Sequence, residues 1–181
     1  MADPIPVLIS ACLLGEKVRY DGGHKHAPFL LESFGPTVRW IPVCPEVECG
    51  LSTPREPMGL AGVPDAPRLV GVDSGADYTE RMMSWAKVRL RELESIGLCG
   101  YVCKKNSPSC SGIGRIEVIG DSGNPAGSGT GIFTKAFVKR FPQIPIEEEG
   151  RLRDPAARGA FIEKVYALSE VRRSRRRRGA Q

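Results

Sequence analysis

The sequence has no apolar run that approaches the roughly 20 residues needed to span a bilayer. Its first stretch, MADPIPVLISACLLG, also lacks the basic segment that begins a secretory signal. We therefore expect a soluble, cytoplasmic protein. Because disulfides are rare in that compartment, the six cysteines are expected to be thiols or metal ligands.

Two common motifs are also missing. The segment CPEVEC places Cys44 and Cys49 five positions apart, which is not the two-residue gap of a zinc knuckle. The stretch GSGTG (127–131) lacks the Lys-Ser/Thr ending of a P-loop. The sequence therefore favours neither a zinc knuckle nor a P-loop phosphate site.

Positive charge is concentrated in one segment. The formal net charge is 26 − 21 = +5, but six arginines lie in RRSRRRR (172–178), and without them the charge is 5 − 6 = −1. Binding to nucleic acid would therefore depend on this segment alone. We expect residues 171–181 to form a basic, disordered tail and residues 1–170 to form one domain.

Strand-like and helix-like segments alternate along the chain. Strands are expected in PIPVLIS, VRWIPV, RLVGV, LCGYVCK and IGRIEVI, and a loop in DSGNPAGSGTG. Helices are expected in APFLLESFG, after Asp77, in IFTKAFVKRF and after Asp154. The second of these carries a core-facing stripe formed by Met82, Met83, Ala86, Leu90 and Leu93. The alternation predicts a single-domain, three-layer, Rossmann-like α/β fold with a mainly parallel sheet.

Three cysteines follow predicted strands. Cys12 follows the first strand, Cys44 closes the second, and Cys110 ends the loop KKNSPSC after LCGYVCK. Because ligands bind beyond the carboxyl ends of parallel strands, these thiols are expected to meet at one edge of the sheet. Three thiolates without an evident fourth ligand suggest an iron–sulfur cluster or a catalytic zinc. Cys49 is open to three interpretations: a fourth ligand, a nearby resolving thiol, or packing.

Polar residues accompany these cysteines. Arg19 and Asp21 form a charged turn that positions a polar ligand or pairs on the surface. Glu46 is either a carboxylate for proton transfer beside the metal or a solvated side chain. Ser107 and Ser109 can bond backbone groups or a cluster sulfur, or orient a substrate or water.

Three segments taken together resemble a known family. SACLLGEKVRYDG, VCPEVECGLSTPRE and KKNSPSCSG, in this order and spacing, resemble the thiouracil desulfidases, a family long catalogued as a domain of unknown function. The resemblance covers about residues 5–170 and includes GIFTKAF and PIEEEGRLRDP.

The resemblance implies a 4Fe-4S cluster held by Cys12, Cys44 and Cys110, with zinc replacement or loss as outcomes of preparation in air. The fourth iron, without a protein ligand, would bind the sulfur of a thiolated pyrimidine. Water would then attack the adjacent carbon, giving the oxo base and sulfide with no net redox change.

The resemblance also suggests roles for individual residues. Glu46 matches the acid of the family's Cys-Pro-Glu segment and is assigned to proton transfer. Ser107 matches the first serine of Ser-Pro-Ser-Cys and is assigned to orienting substrate or water, with Ser109 as the competing choice. Lys104 matches a lysine three residues before that motif and would support a developing anion.

A second function remains compatible with the residues: a non-catalytic cluster- or zinc-bearing module that binds RNA through its arginine-rich tail. The expected partner is a small thiolated base, with RNA as the less favoured partner and no membrane. The sequence does not distinguish a free base from a nucleoside or a tRNA nucleotide, and it leaves the oligomeric state open.

Overall fold

The computed structural model describes residues 3–179. Its strands are β1 (Ile5–Ser10), β2 (Val38–Val43), β3 (Met58–Val63), β4 (Ala66–Gly71), β5 (Gly100–Cys103), β6 (Ile116–Ile119), β7 (Pro125–Gly129) and β8 (Ile146–Glu148). Its α-helices are α1 (Pro28–Phe34), α2 (Pro45–Glu48), α3 (Thr79–Glu94), α4 (Ile132–Arg140) and α5 (Pro155–Gly179). No helix in this part of the chain is long and apolar enough to cross a membrane.

The first sheet has the strand order β2-β1-β5-β8, and all its neighbours are parallel. Its central strand β1 is β-branched and apolar, and Val7, Leu8 and Ile9 are completely buried. A strand covered on both faces reads as a continuous apolar run rather than an alternating one. The segment IPVLIS therefore forms the middle of the parallel sheet.

Helices cover both faces of the parallel sheet. Val7 points into a core with residues of α1 and α5, and Leu8 points into a core with residues of α3 and α4. Successive strand residues face opposite sides, so one strand supports two cores. The prediction of a three-layer α/β fold with a mainly parallel sheet is confirmed.

A second sheet, with the order β4-β3-β6-β7, differs from the sequence-based expectation. Its β3–β4 and β6–β7 pairs are antiparallel, and its β3–β6 pair is parallel. The loop expected in DSGNPAGSGTG is wrong, because β7 lies within it. The β7 sequence, PAGSG, is mostly exposed and has no large apolar side chain, so its pairing with β6 leaves no hydrophobic pattern.

Helix α3 forms as expected, with two differences. Its N-cap is Tyr78, one residue after Asp77, although the Asp77 carboxylate still accepts the Thr79 N–H at 2.9 Å. Met83 is 43% exposed, so its assignment to the core is wrong, whereas the other members of the stripe are buried. Met83 is about 100° around the helix from Met82, and only one side of α3 is covered.

The segment predicted to be a disordered tail is helical where it is described, since α5 continues to Gly179. The helix is anchored by buried Phe161, Val165 and Ser169, and the Arg173 guanidinium donates to the Asp3 carbonyl at 2.5 Å. Arginine is a good helix former, so the run of arginines extends an anchored helix. Residues 180–181 lie outside the described part.

Candidate functional site

A cavity of about 510 Å³ opens at the carboxyl edge of the parallel sheet. Strand β1 has β2 on one side and β5 on the other, so the chain order reverses beside it. Such a reversal leaves a crevice between the loops that leave neighbouring strands. The lining includes Cys12, Arg19, Cys44, Glu46, Lys104, Ser107 and Cys110.

Three loops bring three cysteines to this cavity. Cys12 lies in a 3-10 turn (Ala11–Leu14) after β1, Cys44 lies between β2 and α2, and Cys110 lies in the loop after β5. The 3-10 turn ends at Gly15, whose φ of 94° is a left-handed conformation that glycine adopts readily. The convergence expected from the strand order is therefore present.

The Cys110 loop is fixed by hydrogen bonds to its backbone. The Cys110 N–H donates to the Ser107 hydroxyl oxygen at 3.1 Å, and the Thr134 hydroxyl donates to the Cys110 carbonyl at 2.7 Å. Gly131, at the start of α4, lies so close that a Cβ there would be 2.7 Å from the Cys110 nitrogen. Close backbone contact thus sets the position of this thiol.

Burial opposes ionisation of all three thiols. It is the main cause that raises the pKa of Cys12 to about 12 and that of Cys44 to about 11, and it also raises the pKa of Cys110. Repulsion from Cys44 adds to the effect at Cys12 and at Cys110. Thiolates here require a compensating positive charge, which bound metal supplies.

The donor set fits the cluster implied by the family resemblance. Within residues 3–179, no three Cys, His, Asp or Glu side chains are grouped closely enough to hold a single metal ion. The three thiols instead border a shared cavity, an arrangement that suits a group of several metal atoms with soft sulfur ligands. Cys49 does not line the cavity, and its Sγ donates to the Glu46 carbonyl oxygen at 3.2 Å.

Glu46 is held at both carboxylate oxygens. The Arg55 guanidinium donates to Oε2, with its Nε at 2.9 Å, and the Ser109 hydroxyl donates to Oε1 at 2.8 Å. The Glu46 and Arg55 side chains are 13% and 7% exposed. Arg55 also donates to the Val18 carbonyl, which ties the first cysteine loop to the second. These bonds fix the Glu46 carboxyl group at the cavity wall.

Lys104 is paired with a carboxylate as well. Its Nζ lies 2.6 Å from Glu149 Oε1 and 3.0 Å from the Lys105 carbonyl, and its side chain is 12% exposed. The other Glu149 oxygen accepts the Lys105 N–H at 2.7 Å. An ammonium group has three protons, so one remains for a group in the cavity.

The two serines occupy different positions. Ser107 lines the cavity, and its oxygen accepts the Cys110 N–H, which leaves the hydroxyl proton free to point elsewhere. Ser109 is completely buried and contacts Glu46 from behind the cavity wall. The geometry therefore distinguishes a serine facing the cavity from one that supports Glu46.

Arg19 and Asp21 lie close together but differ in their position relative to the cavity. Arg19 lines the cavity, with its guanidinium 5.3 Å from the centre of the Tyr20 ring. Its Nε is 3.4 Å from Asp21 Oδ1, an ion pair without hydrogen-bond geometry. Asp21 is exposed outside the lining and accepts the Gly23 N–H, which lowers its pKa. Of these two residues, the structure places Arg19 at the cavity and Asp21 outside its lining.

Arg55 and Glu149 were not among the residues selected from the sequence. Both have a local signal: Arg55 lies in the segment VCPEVECGLSTPRE, and Glu149 ends the acidic run of PIEEEG. Their partners are distant in sequence, since Glu149 lies 45 residues after Lys104. Spacing alone does not show such pairing.

Comparison with known proteins gives consistent matches. Residues 7–149 match the model of the family described as 2-thiouracil desulfurase. The uncharacterized protein YbbK of Bacillus subtilis (strain 168) is 34% identical over 109 residues, which are 58% of this chain and 72% of that protein. A solved structure, the 4Fe-4S-dependent thiouracil desulfidase TudS, is similar with a TM-score of 0.67 and 33% identity. That match covers 93% of this chain and 99% of the TudS chain.

Proposed function

Because the chain belongs to the 2-thiouracil desulfurase family, we propose that it is an iron–sulfur enzyme that removes sulfur from a thiolated pyrimidine such as 2-thiouracil. Cys12, Cys44 and Cys110 would hold a 4Fe-4S cluster. The observation that carries the proposal is the convergence of these three thiols and Glu46 on one cavity at the carboxyl edge of the sheet.

The proposed reaction exchanges sulfur for oxygen without external electrons. One water is consumed, its oxygen becomes the carbonyl oxygen of the product, and its two protons leave with the sulfur as hydrogen sulfide. When bound, the cluster supplies a soft Lewis-acidic iron without a protein ligand, which polarises the carbon–sulfur bond of the substrate.

Glu46 moves the proton in this scheme. Its carboxylate accepts a proton from the attacking water and returns it to the leaving sulfur. A general acid–base group must be held within hydrogen-bond reach of the reacting atoms, and the bonds from Arg55 and Ser109 provide that fixed position. Ser109 is therefore a positioning residue, which acts through Glu46.

The remaining lining residues orient the substrate. The Ser107 hydroxyl orients the attacking water or a polar atom of the base. The third proton of Lys104 stabilises negative charge that develops on the pyrimidine. Arg19 provides a planar set of donors for a ring oxygen or nitrogen, whereas Asp21 holds the Arg19 turn from outside.

The test is anaerobic reconstitution with iron and sulfide, followed by metal and sulfide analysis and an assay of uracil released from 2-thiouracil. We expect about four irons per chain. In water enriched in oxygen-18, the label should appear in the product, and turnover should need no electron donor. Exchange of Cys12, Cys44 or Cys110 for Ala should abolish both cluster binding and turnover.

Cys99→Ala is the matched control. Cys99 is also a buried thiol, but it lies in the α1/α5 core and does not line the cavity. The Cys99→Ala variant should bind the cluster and release uracil from 2-thiouracil as the wild type does. A full cluster without product would redirect the search to other thiolated substrates, and failure to bind a cluster would contradict the mechanism.

A further inference from the structure

Tyr101 is a completely buried side chain with an unused polar group. It lies on β5, with its ring centroid 5.0 Å from that of Phe137 and 6.1 Å from that of Phe133. Its hydroxyl has no hydrogen-bond partner among the described residues. A buried hydroxyl without a partner is costly, so its presence in this core requires an explanation.

The Tyr101 hydroxyl lies beside the thiol of Cys110. Both residues belong to the core formed by β5, α3 and α4. Burial raises the pKa of Tyr101 well above its usual value, and Cys110 is the next largest cause, as expected when the two groups are neighbours. The adjacent Thr134 hydroxyl uses its proton on the Cys110 carbonyl at 2.7 Å.

We propose that Tyr101 is a positioning residue that donates its hydroxyl proton to the Cys110 sulfur when that sulfur is a cluster ligand. This inference rests on the proposed function, because it requires a bound cluster. A thiolate is a stronger hydrogen-bond acceptor than a neutral thiol. The hydroxyl thus has no partner in the metal-free protein and gains one on loading, and hydrogen bonds to ligand sulfurs raise the reduction potential of a cluster.

The test compares Tyr101→Phe with the wild type in both states. Without a cluster, the variant should unfold at the same or a higher denaturant concentration, because it loses only an unpaired hydroxyl. With a cluster, the variant should have a more negative reduction potential. It should also lose iron to a chelator at about 10–100-fold lower chelator concentration, as expected when a partner of a metal ligand is removed.

Tyr166→Phe is the matched control. The Tyr166 hydroxyl is 2.5 Å from the Thr37 hydroxyl, outside the cavity lining. Its loss should lower the unfolding midpoint of the metal-free protein and leave the potential and iron retention unchanged.

Three results would overturn the inference. If Tyr101→Phe retains the wild-type potential and iron retention, or weakens the metal-free and loaded proteins equally, the hydroxyl does not act on the cluster. If the wild type itself binds no cluster, both this inference and the proposed function fail. A wild type that loads normally separates the two cases.

Discussion

At the scale of residues, the site depends on charged pairs formed between loops. Glu46 is paired with Arg55, and Lys104 with Glu149, and all four side chains are at most 13% exposed. Removing one partner of a buried pair leaves an uncompensated charge, which costs more than the pair itself contributes. Charge removal at these positions is therefore a sensitive probe of the site.

Arg55→Met should lower the free energy of unfolding by about 3 kcal/mol, because Glu46 then loses its cation. Urea unfolding measures this loss. The double variant Arg55→Met/Glu46→Gln should recover part of it, since the carboxylate charge is also removed, yet both variants should be poor desulfurases. Arg68→Met is the control: the Arg68 side chain is 52% exposed, and its removal should change stability by less than about 1 kcal/mol. Equal losses for the two arginines would contradict the assignment.

At the scale of elements, close packing of α4 against the Cys110 loop determines where one thiol lies. The α4 N-terminal turn donates backbone hydrogen bonds to carbonyl oxygens of this loop, including Ile132 N–H to Pro108 O at 2.9 Å and Gly131 N–H to Ser111 O at 3.1 Å. Gly131 has a negative φ of −52°, so its requirement is for space and not for a left-handed backbone.

Gly131→Ala should displace this loop. The new Cβ would lie 2.6 Å from the Ser111 nitrogen and 2.7 Å from the Cys110 nitrogen, and backbone atoms yield less readily than a flexible side chain. We expect a loss of about 1–3 kcal/mol in unfolding free energy and a reduced iron content after reconstitution. Gly159→Ala is the control, because its Cβ would meet no atom within 4 Å. In helix α5 that substitution should stabilise by about 0.5–1 kcal/mol. Full iron content in Gly131→Ala would contradict the packing argument.

The start of α3 provides a prediction about pH. Hydrogen bonding by the Thr79 side chain, and then by its backbone N–H, lowers the pKa of Asp77 below its ordinary value of 3.8. Its stabilisation is therefore present above pH 3.8 and is lost as the pH falls through the lowered folded-state pKa. Because the Asp77 side chain is 43% exposed, Asp77→Ala should cost less than about 1 kcal/mol at pH 7, and this cost should shrink once the pH is below the folded-state pKa.

Asp77→Asn separates charge from hydrogen bonding in the same experiment. Asparagine can still accept the Thr79 N–H, so most of the stability should remain at pH 7. Unfolding midpoints measured across acid pH supply the comparison. A difference between Asp77→Ala and the wild type that does not shrink with acid would show that the carboxylate charge is not the cause.

At the scale of the whole molecule, the arginine-rich end of α5 is separate from the cavity. Residues of this end, such as Arg175 and Arg178, are absent from the cavity lining. Deleting residues 174–181 removes four arginines and lowers the formal charge from +5 to 5 − 4 = +1. The truncated chain should reconstitute its cluster and release uracil from free 2-thiouracil at the wild-type rate.

Replacing the same four arginines by Gln in the full chain is the control, because it removes charge while keeping the helix. Desulfuration of the free base should again be unchanged. The RNA-binding alternative instead predicts that the wild-type chain binds RNA in a salt-sensitive manner and that both variants lose this binding. A fall in free-base turnover after truncation would contradict the separation of tail and cavity.

The sequence by itself determined the strands β1, β2 and β5 of the parallel sheet, its flanking helices and the positions of the three cysteines. Apolar strands such as IPVLIS and helices with one apolar side leave strong periodic patterns, which local rules detect. The carboxyl ends of parallel strands share an edge, so Cys12, Cys44 and Cys110 could be expected to meet before any coordinates were known.

Only the tertiary structure decided the second sheet and the partners inside the site. PAGSG and the three-residue strand β8 carry no pattern of their own and form through backbone pairing with β6 and β5. Arg55 on Glu46, Glu149 on Lys104 and Tyr101 beside Cys110 are contacts between segments brought together by the fold. Periodicity records which face of an element is buried, whereas the pairing of distant side chains depends on how whole elements pack.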